Sequence, residues 1–319
     1  MTYIVGIDGG GTKTAVAIAV ANKDSERSLT SPDLEVVHQF SVGAMNVNGG
    51  DQAAIIQSFQ KIFSEITIVC GSVDEVAHIC IGTAGISNPE VALFLEKQLR
   101  INGYHGQFTV TGDQETALYG AHKAMSGIIL IAGTGSICFG VNDQGERHRA
   151  GGFGHLIDDE GSGYSIGRDL LSVLVQAEDG RISDSIIPVL VYKRLQMSSV
   201  KEVIGYVYNK QTTKKDIAKL APILNFACEC GDQQALAIAD ACGEQLCKLL
   251  VPVIERLGMQ NASIAIAGSV LQKSEYVRAA LELQLEEKYP QAKLILPLAD
   301  AAYGALLIAA SQLSGQTAV

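Results

Sequence analysis

The N-terminal part of the chain alternates between short apolar runs and turns rich in glycine. Residues 4–7 are mainly apolar, Asp8 and three glycines follow, and residues 15–20 are apolar again. Two such runs joined by a short turn predict a pair of strands, and residues 34–42 predict a third strand. An acidic residue beside consecutive glycines predicts a turn whose backbone N–H groups can hold an anion.

Helices and strands alternate after these first three strands. Apolar residues recur with helical spacing from Gln52 to Cys70, which predicts a helix. Asn88 is a suitable N-cap for a second helix that has Pro89 at its first position. The predicted elements of this part are helices at 52–70, 89–99 and 115–125 and strands at 76–81 and 108–111.

The same order of elements begins again near residue 127. A strand at 127–132, a turn of Gly133, Thr134, Gly135 and Ser136, and a strand at 137–142 repeat the N-terminal pattern. This repetition predicts an internal duplication, with the two glycine turns facing each other across a cleft. The remaining predictions are strands at 147–151, 263–267 and 293–296 and helices at 165–177, 182–196, 200–208, 213–230, 233–257, 276–288 and 301–311.

Length and composition predict a compact globular protein with two domains. The chain has 319 residues, of which 47% are hydrophobic and 18% are charged. A net charge of −10 argues against nucleic acid or an anionic membrane as a partner. We therefore expect a phosphate-bearing ligand to be held by backbone amides and a metal ion, not by a basic field. The absence of a signal peptide and the seven scattered cysteines predict a cytoplasmic protein with reduced thiols.

Three polar positions have both a structural and a chemical interpretation. Asp113 follows a strand and precedes a helix, so it is suited to cap that helix or to act as a general base. The turn at Gly133 is either an ordinary hairpin or, paired with the first turn, a phosphate site. Residues 151–163 predict a polar loop at the mouth of a cleft. In that loop we expect Asp158 to be solvated and His155 to orient the loop by hydrogen bonding.

Four segments together resemble the BadF/BadG/BcrA/BcrD family, and its N-acetylglucosamine kinase branch in particular, within the actin, hexokinase and Hsp70 superfamily. These segments are residues 6–14, 112–113, 133–136 and 152–163. The resemblance implies an α/β fold of two actin-like (ribonuclease H-like) lobes. Each lobe would hold a mixed five-stranded sheet flanked by helices, with a nucleotide cleft between the lobes. We expect the lobes at 1–117 and 118–319, with a terminal helix at 301–314 near their junction.

The resemblance further implies an ATP-dependent kinase that phosphorylates the 6-hydroxyl of N-acetylglucosamine, N-acetylmuramic acid or glucosamine. It makes Asp113 the catalytic base, and it assigns Asp8 to Mg²⁺ through water. The implied ATP and phosphate contacts are Gly10, Gly11, Thr12, Lys13, Gly133, Thr134, Gly135, Cys228, Gly268 and Ser269. The implied sugar contacts are Asn46, Thr83, Gly85, Asp113, Gly152, Phe153, Gly154 and Asp159. A homodimer is an expectation by analogy.

A second function stays open at this point, because other members of the resembled family are ATPase activators. These activators drive electrons from an iron–sulfur cluster into a dehydratase or reductase, and they need cysteines that bridge a dimer around the cluster. Cys138 lies after the second glycine turn, inside a predicted strand. The pair Cys228 and Cys230 resembles the zinc motif of ROK sugar kinases, but the further Cys and His of that motif are missing here.

Overall fold

The structure, a computed structural model, describes residues 1–11, 13–21, 34–45 and 51–313. The chain divides into two compact units. Unit 1 comprises residues 1–127, 141–146 and the segment from Pro297 onward, and unit 2 comprises residues 128–140 and 147–296. This division differs from the expected boundary at residue 117. The C-terminal helix belongs to unit 1 because it packs on strands near the N-terminus.

Unit 1 is built around a mixed five-stranded sheet. Its strands are β1 (Tyr3–Gly9), β2 (Thr14–Val20), β3 (Val36–Val42), β4 (Val76–Thr83) and β5 (Gln107–Gly112). They lie in the order β3-β2-β1-β4-β5. Strand β1 pairs antiparallel with β2 and parallel with β4, which in turn pairs parallel with β5. The carboxyl ends of β1, β4 and β5 therefore lie at one edge of the sheet.

Three helices of unit 1 follow the predicted pattern closely. They are α1 (Gln52–Cys70), α2 (Pro89–Ile101) and α3 (Asp113–His122), and a 3₁₀ turn at Val73–Glu75 leads into β4. The Asn88 side chain caps α2 by accepting a hydrogen bond from the Glu90 backbone N–H. Helix α1 is long and apolar enough to cross a membrane, but Phe59 and Ile62 on it are fully buried in the core of unit 1.

The second sheet repeats the strand order of the first. Its strands are β6 (Gly127–Ala132), β7 (Ser136–Val141), β8 (Arg147–Gly151), β9 (Ser263–Ala267) and β10 (Lys293–Ile295). They lie in the order β10-β9-β6-β7-β8, and β9 pairs parallel with both β6 and β10. In each sheet the first strand of the repeat is central, and the second and third lie in turn on one side of it. The duplicated mixed sheets predicted from the sequence are confirmed.

Eight helices of the described residues surround this second sheet, and a last one follows. Those in unit 2 are α4 (Gly163–Glu178), α5 (Ile187–Leu195), α6 (Val200–Val207), α7 (Lys214–Ala218), α8 (Pro222–Glu229), α9 (Gln233–Leu257), α10 (Ser269–Lys273) and α11 (Glu275–Lys288). The last is α12 (Ala301–Leu313), in unit 1. The single helix predicted at 213–230 is wrong. The chain ends α7 at Ala218 and begins α8 at Pro222, because Pro222 has no backbone N–H to donate to the preceding turn.

Helix α12 packs against β1 and α3 through their backbones. A Cβ atom added at Gly304 would lie 1.9 Å from the Thr116 carbonyl oxygen, and one at Gly120 would lie 2.0 Å from the Asp300 carbonyl oxygen. A Cβ atom at Gly6 would lie 2.3 Å from the Ala302 carbonyl oxygen. Only glycine fits at these contacts, because the opposing atoms are backbone and cannot rotate away.

We expect Gly304→Ala to lower the free energy of unfolding by about 3 kcal/mol or more, because the new methyl group meets backbone. Urea unfolding followed by circular dichroism measures this change. Gly205→Ala is the matched control, since Gly205 also lies in a helix and its Cβ would meet no atom within 4 Å. Equal stabilities of the two variants would contradict this account of the packing.

Candidate active site

Three predicted site residues lie together at the carboxyl edge of the first sheet. Asp8 pairs with Gly82 in the β1–β4 register, and Thr83 pairs with Gly112 in the β4–β5 register. Asp113 follows Gly112 directly and is the first residue of α3. The two carboxylates and the buried Thr83 are therefore brought to one edge by three neighbouring parallel strands.

The environment of Asp8 disfavours its negative charge. Burial, and then the nearby carboxylates of Asp113 and Asp300, raise the pKa of Asp8 to about 6, while Lys13 acts in the opposite direction. Burial also raises the pKa of Asp113, although its Oδ1 accepts a hydrogen bond of 3.0 Å from the Gln114 backbone N–H. A bound cation would relieve this cost, so the carboxylates suit a metal ion.

The donor set suits Mg²⁺ held mainly by water. Among the described residues, no group of three or more His, Cys, Asp or Glu side chains forms a complete metal cage. Mg²⁺ commonly keeps several waters and uses only one or two protein carboxylates. The assignment of Asp8 to such an ion stays a prediction, and its position at this edge and its raised pKa are compatible with it.

The first glycine turn is tight, and part of its backbone is already paired, because the Gly10 N–H donates to the Asp8 carbonyl at 3.2 Å and the Gly10 carbonyl accepts from the Met45 N–H at 3.1 Å. A Cβ atom at Gly10 would lie 2.5 Å from the Lys13 carbonyl oxygen, so a side chain there would force the turn open. Gly11 and Lys13 are exposed. Gly85, after β4, has φ +79°, a conformation that favours glycine. The predicted contacts Thr12 and Asn46 lie outside the described residues.

The second glycine turn is joined to the start of α4 by backbone hydrogen bonds. The Gly163 N–H donates to the Gly133 carbonyl at 2.7 Å, and the Tyr164 N–H donates to the Thr134 carbonyl at 3.3 Å. A Cβ atom at Gly133 would meet open space. One side of the turn is thus fixed by protein while the other is open to a ligand.

A cavity of about 400 Å³ adjoins the second turn within unit 2. Its wall includes Gly133, Thr134 and Ser269, three of the residues predicted to contact ATP. Gly268 stands directly before Ser269 and has φ +86°. A Cβ atom added there would lie 2.3 Å from the Ala132 carbonyl oxygen and would clash with it. Helix α10, which begins at Ser269, was not predicted, because five residues are too few to establish helical spacing.

The cavity is more basic than the composition of the chain suggests. Four cationic side chains line it, namely Arg194, Lys215, Lys219 and Lys273. Lys219 is paired with Asp216 at 2.7 Å, so three of these cations have charge to offer a ligand, and a basic field is therefore present at this place. The net charge of −10 is a sum over the whole surface and does not exclude a local cluster of opposite sign.

Cys228 does not line this cavity. Helix α8 contributes Pro222, Leu224 and Asn225 to its wall. The Cys228 side chain is buried in the core of unit 2, and burial raises the pKa of its thiol to about 11. Any contact of this residue with a nucleotide would have to come through its backbone.

The structure separates two parts of the predicted sugar loop. Gly152, Phe153 and Gly154 are accessible, and the Phe153 side chain is 63% exposed beneath the Arg149 guanidinium. The Asp159 side chain is only 3% exposed and accepts a hydrogen bond from the Ser136 backbone N–H at 3.2 Å. Asp159 therefore lies against the second glycine turn.

Of two expectations about the same loop, one is wrong. Asp158 is half-exposed, and its Oδ2 also accepts a hydrogen bond of 2.9 Å from the Phe153 backbone N–H, so it holds the loop together. His155 makes an edge-on ring contact with Tyr164, with the centroids 4.8 Å apart. His155 is therefore held by this ring contact and not by the predicted hydrogen bond.

Asp300 is a further carboxylate near Asp8 that was not predicted from the sequence. Its Oδ1 accepts a hydrogen bond from the Tyr303 backbone N–H at 2.9 Å, which caps α12, and its charge acts on Asp8. A usable signal was present, because residues 117–121 and 301–305 share the pattern Ala-x-Tyr-Gly-Ala. Asp113 and Asp300 each precede one copy of this pattern.

Solved structures share the fold described above. A Chromobacterium violaceum protein, whose assignment as an N-acetylglucosamine kinase is itself provisional, is 25% identical and covers 96% of this chain and 98% of its own, with a TM-score of 0.74. A ROK hexokinase from Thermus thermophilus is 15% identical and covers 98% of this chain and 100% of its own, with a TM-score of 0.59. The duplicated sheets and flanking helices therefore define the actin/hexokinase fold.

The chain belongs to the BadF/BadG/BcrA/BcrD ATPase family, whose model matches residues 5–309. The N-acetylmuramic acid/N-acetylglucosamine kinase of Clostridium acetobutylicum is 35% identical over 98% of this chain and 99% of its own. The N-acetyl-D-glucosamine kinase of Dictyostelium discoideum is 27% identical over 96% and 97%. The family resemblance inferred from the four segments is confirmed.

We expect Asp8→Asn to stabilise the protein above about pH 7, because a raised pKa means that ionisation of Asp8 costs the folded state free energy. That cost grows between the ordinary pKa of 3.8 and the raised value of about 6, and at higher pH it amounts to about 3 kcal/mol. Thermal unfolding of both proteins across this range measures it. The gain should vanish near pH 4, and a gain independent of pH would contradict the assignment.

Proposed function

We propose that this chain is an ATP-dependent amino-sugar kinase that phosphorylates the 6-hydroxyl of N-acetylglucosamine or a close relative. The similarity to the Clostridium acetobutylicum kinase, at 35% identity over nearly the full length of both chains, carries the proposal. The two partly buried carboxylates at the edge of the first sheet support it, because a kinase needs both a metal-binding acid and a base.

ATP is the proposed phosphoryl donor, and unit 2 supplies a suitable site. The cavity beside the second glycine turn has room for an adenosine group and offers cations for phosphate oxygens. Mg²⁺, when bound through Asp8, would neutralise the charge that develops on the transferring phosphoryl group. Lys13, which is exposed on the first glycine turn, would hold the phosphates further.

Asp113 is the proposed general base. In the proposed step the sugar 6-hydroxyl oxygen forms a bond to the γ-phosphorus, the bond to the β,γ-bridging oxygen breaks, and the hydroxyl proton passes to Asp113. The Gln114 backbone N–H fixes the carboxylate at Oδ1. A pKa raised by burial makes Asp113 a better proton acceptor than an ordinary aspartate.

The alternative function, that of an ATPase activator with an iron–sulfur cluster, has less support than the kinase function. Cys138 is fully buried in β7, and burial raises the pKa of its thiol, so this thiol is poorly suited to bind a shared cluster. The visible spectrum of anaerobically purified protein separates the two functions. A kinase is colourless, whereas a brown protein with charge-transfer absorption would contradict the proposal.

We expect ADP release that depends on an amino sugar. A coupled assay with N-acetylglucosamine, N-acetylmuramic acid, glucosamine and glucose measures it, and at least one of the three hexosamines should be turned over faster than glucose. Phosphate release without sugar serves as the background. Absence of turnover on every hexosamine would overturn the kinase assignment.

We expect Asp113→Asn to lower kcat by about a thousandfold and to leave sugar binding measurable, because the amide keeps the hydrogen bond to Gln114 but accepts no proton. Asp51→Asn is the matched control. Asp51 caps α1 by accepting from the Ala53 N–H, so the same change is made at a helix start away from the proposed base. Retained turnover in Asp113→Asn would remove it as the base.

A further inference from the structure

Asp159 is a buried carboxylate with one unused oxygen. Its Oδ1 accepts from the Ser136 N–H, and a Cβ atom at Gly135 would lie 2.6 Å from that oxygen. Its Oδ2 is buried and has no hydrogen-bond partner among the described residues. Its backbone adopts φ +67°, which an aspartate rarely does. A buried acid held in this way is costly unless a further group interacts with it.

The nearby cation is Lys214. Its Nζ lies 3.8 Å from Asp159 Oδ2, which is an ion pair without a hydrogen bond. The Lys214 side chain is half-exposed whereas that of Asp159 is buried. The pair therefore offsets part of the cost of burying the carboxylate, and it leaves Oδ2 without a hydrogen bond.

The backbone around Lys214 is fixed. Lys214 is the first residue of α7, and Asp216 closes a capping box by accepting from the Thr213 backbone N–H at 3.0 Å. Helix α7 lies directly on α4, because a Cβ atom at Gly167 would be 2.2 Å from the Ile217 carbonyl oxygen. The next residue, Lys215, lines the cavity beside the second glycine turn. The two neighbouring lysines of this short helix thus have different contacts: Lys214 lies beside Asp159, and Lys215 lines the cavity.

We propose that Lys214 is a positioning residue for the sugar, one that holds Asp159 so that Oδ2 can accept a hydrogen bond from a sugar hydroxyl. This inference rests on the proposed kinase function. Lys214 acts through Asp159 and does not itself contact the reacting atoms. Lys215, by contrast, lines the cavity proposed for the nucleotide.

Steady-state kinetics of Lys214→Met and Lys215→Met test this division. We expect Lys214→Met to raise the KM for the sugar about fivefold with the KM for ATP nearly unchanged. Lys215→Met should do the reverse. Methionine has a helix propensity close to that of lysine, so α7 should persist in both variants. Lys214→Arg keeps the charge and should restore most of the sugar affinity.

A double-mutant cycle identifies the residue through which Lys214 acts. In an Asp159→Asn background, Lys214→Met should add less than about a twofold change in the sugar kcat/KM, because the interaction is already lost. If the wild-type protein turns over a hexosamine, either of two results overturns the inference and leaves the proposed function standing. One is that the effects of the two substitutions are additive, and the other is that Lys214→Met changes the KM for ATP. A wild-type protein without hexosamine turnover overturns the proposed function, and the inference with it.

Discussion

Backbone-to-backbone contact between α12 and the first sheet is the constraint on which unit 1 depends. The absence of side chains at Gly6, Gly120 and Gly304 lets carbonyl oxygens of neighbouring elements come within contact distance. This packing fixes the start of α12 and with it Asp300, whose charge contributes to the raised pKa of Asp8. The electrostatics at the edge of the first sheet are therefore a result of long-range packing as much as of the glycine turn beside Asp8.

Features with a local cause could be predicted from the sequence. The strand pair around the first turn, helices α1 and α9 and the duplicated order of strands follow from the spacing of apolar residues. The placement of Asp8 and Asp113 at strand ends follows as well, because both stand directly at the end of an apolar run. These elements form the framework of the fold and position Asp8 and Asp113 in the candidate site.

Features that depend on the direction of a side chain could not be predicted. Asp159 stands in the middle of an acidic loop, and nothing in that loop indicates that its carboxylate is buried against Ser136. Cys228 stands in the expected stretch, yet its thiol lies in the core. The basic lining of the cavity comes from α5, from α7 with its C-cap residue and from α10, and their meeting depends on contacts between distant parts of the chain.

The membership of α12 in unit 1 has a consequence for the order in which the chain is synthesised. All of unit 2, residues 128–140 and 147–296, leaves the ribosome before the helix that completes unit 1. At ordinary elongation rates this delay lasts roughly 10 to 30 s. During that time the face of β1 that α12 later covers is not yet packed against this helix. A newly made chain is thus expected to pass through a state in which unit 2 can be folded while unit 1 still exposes the apolar surface that α12 later covers.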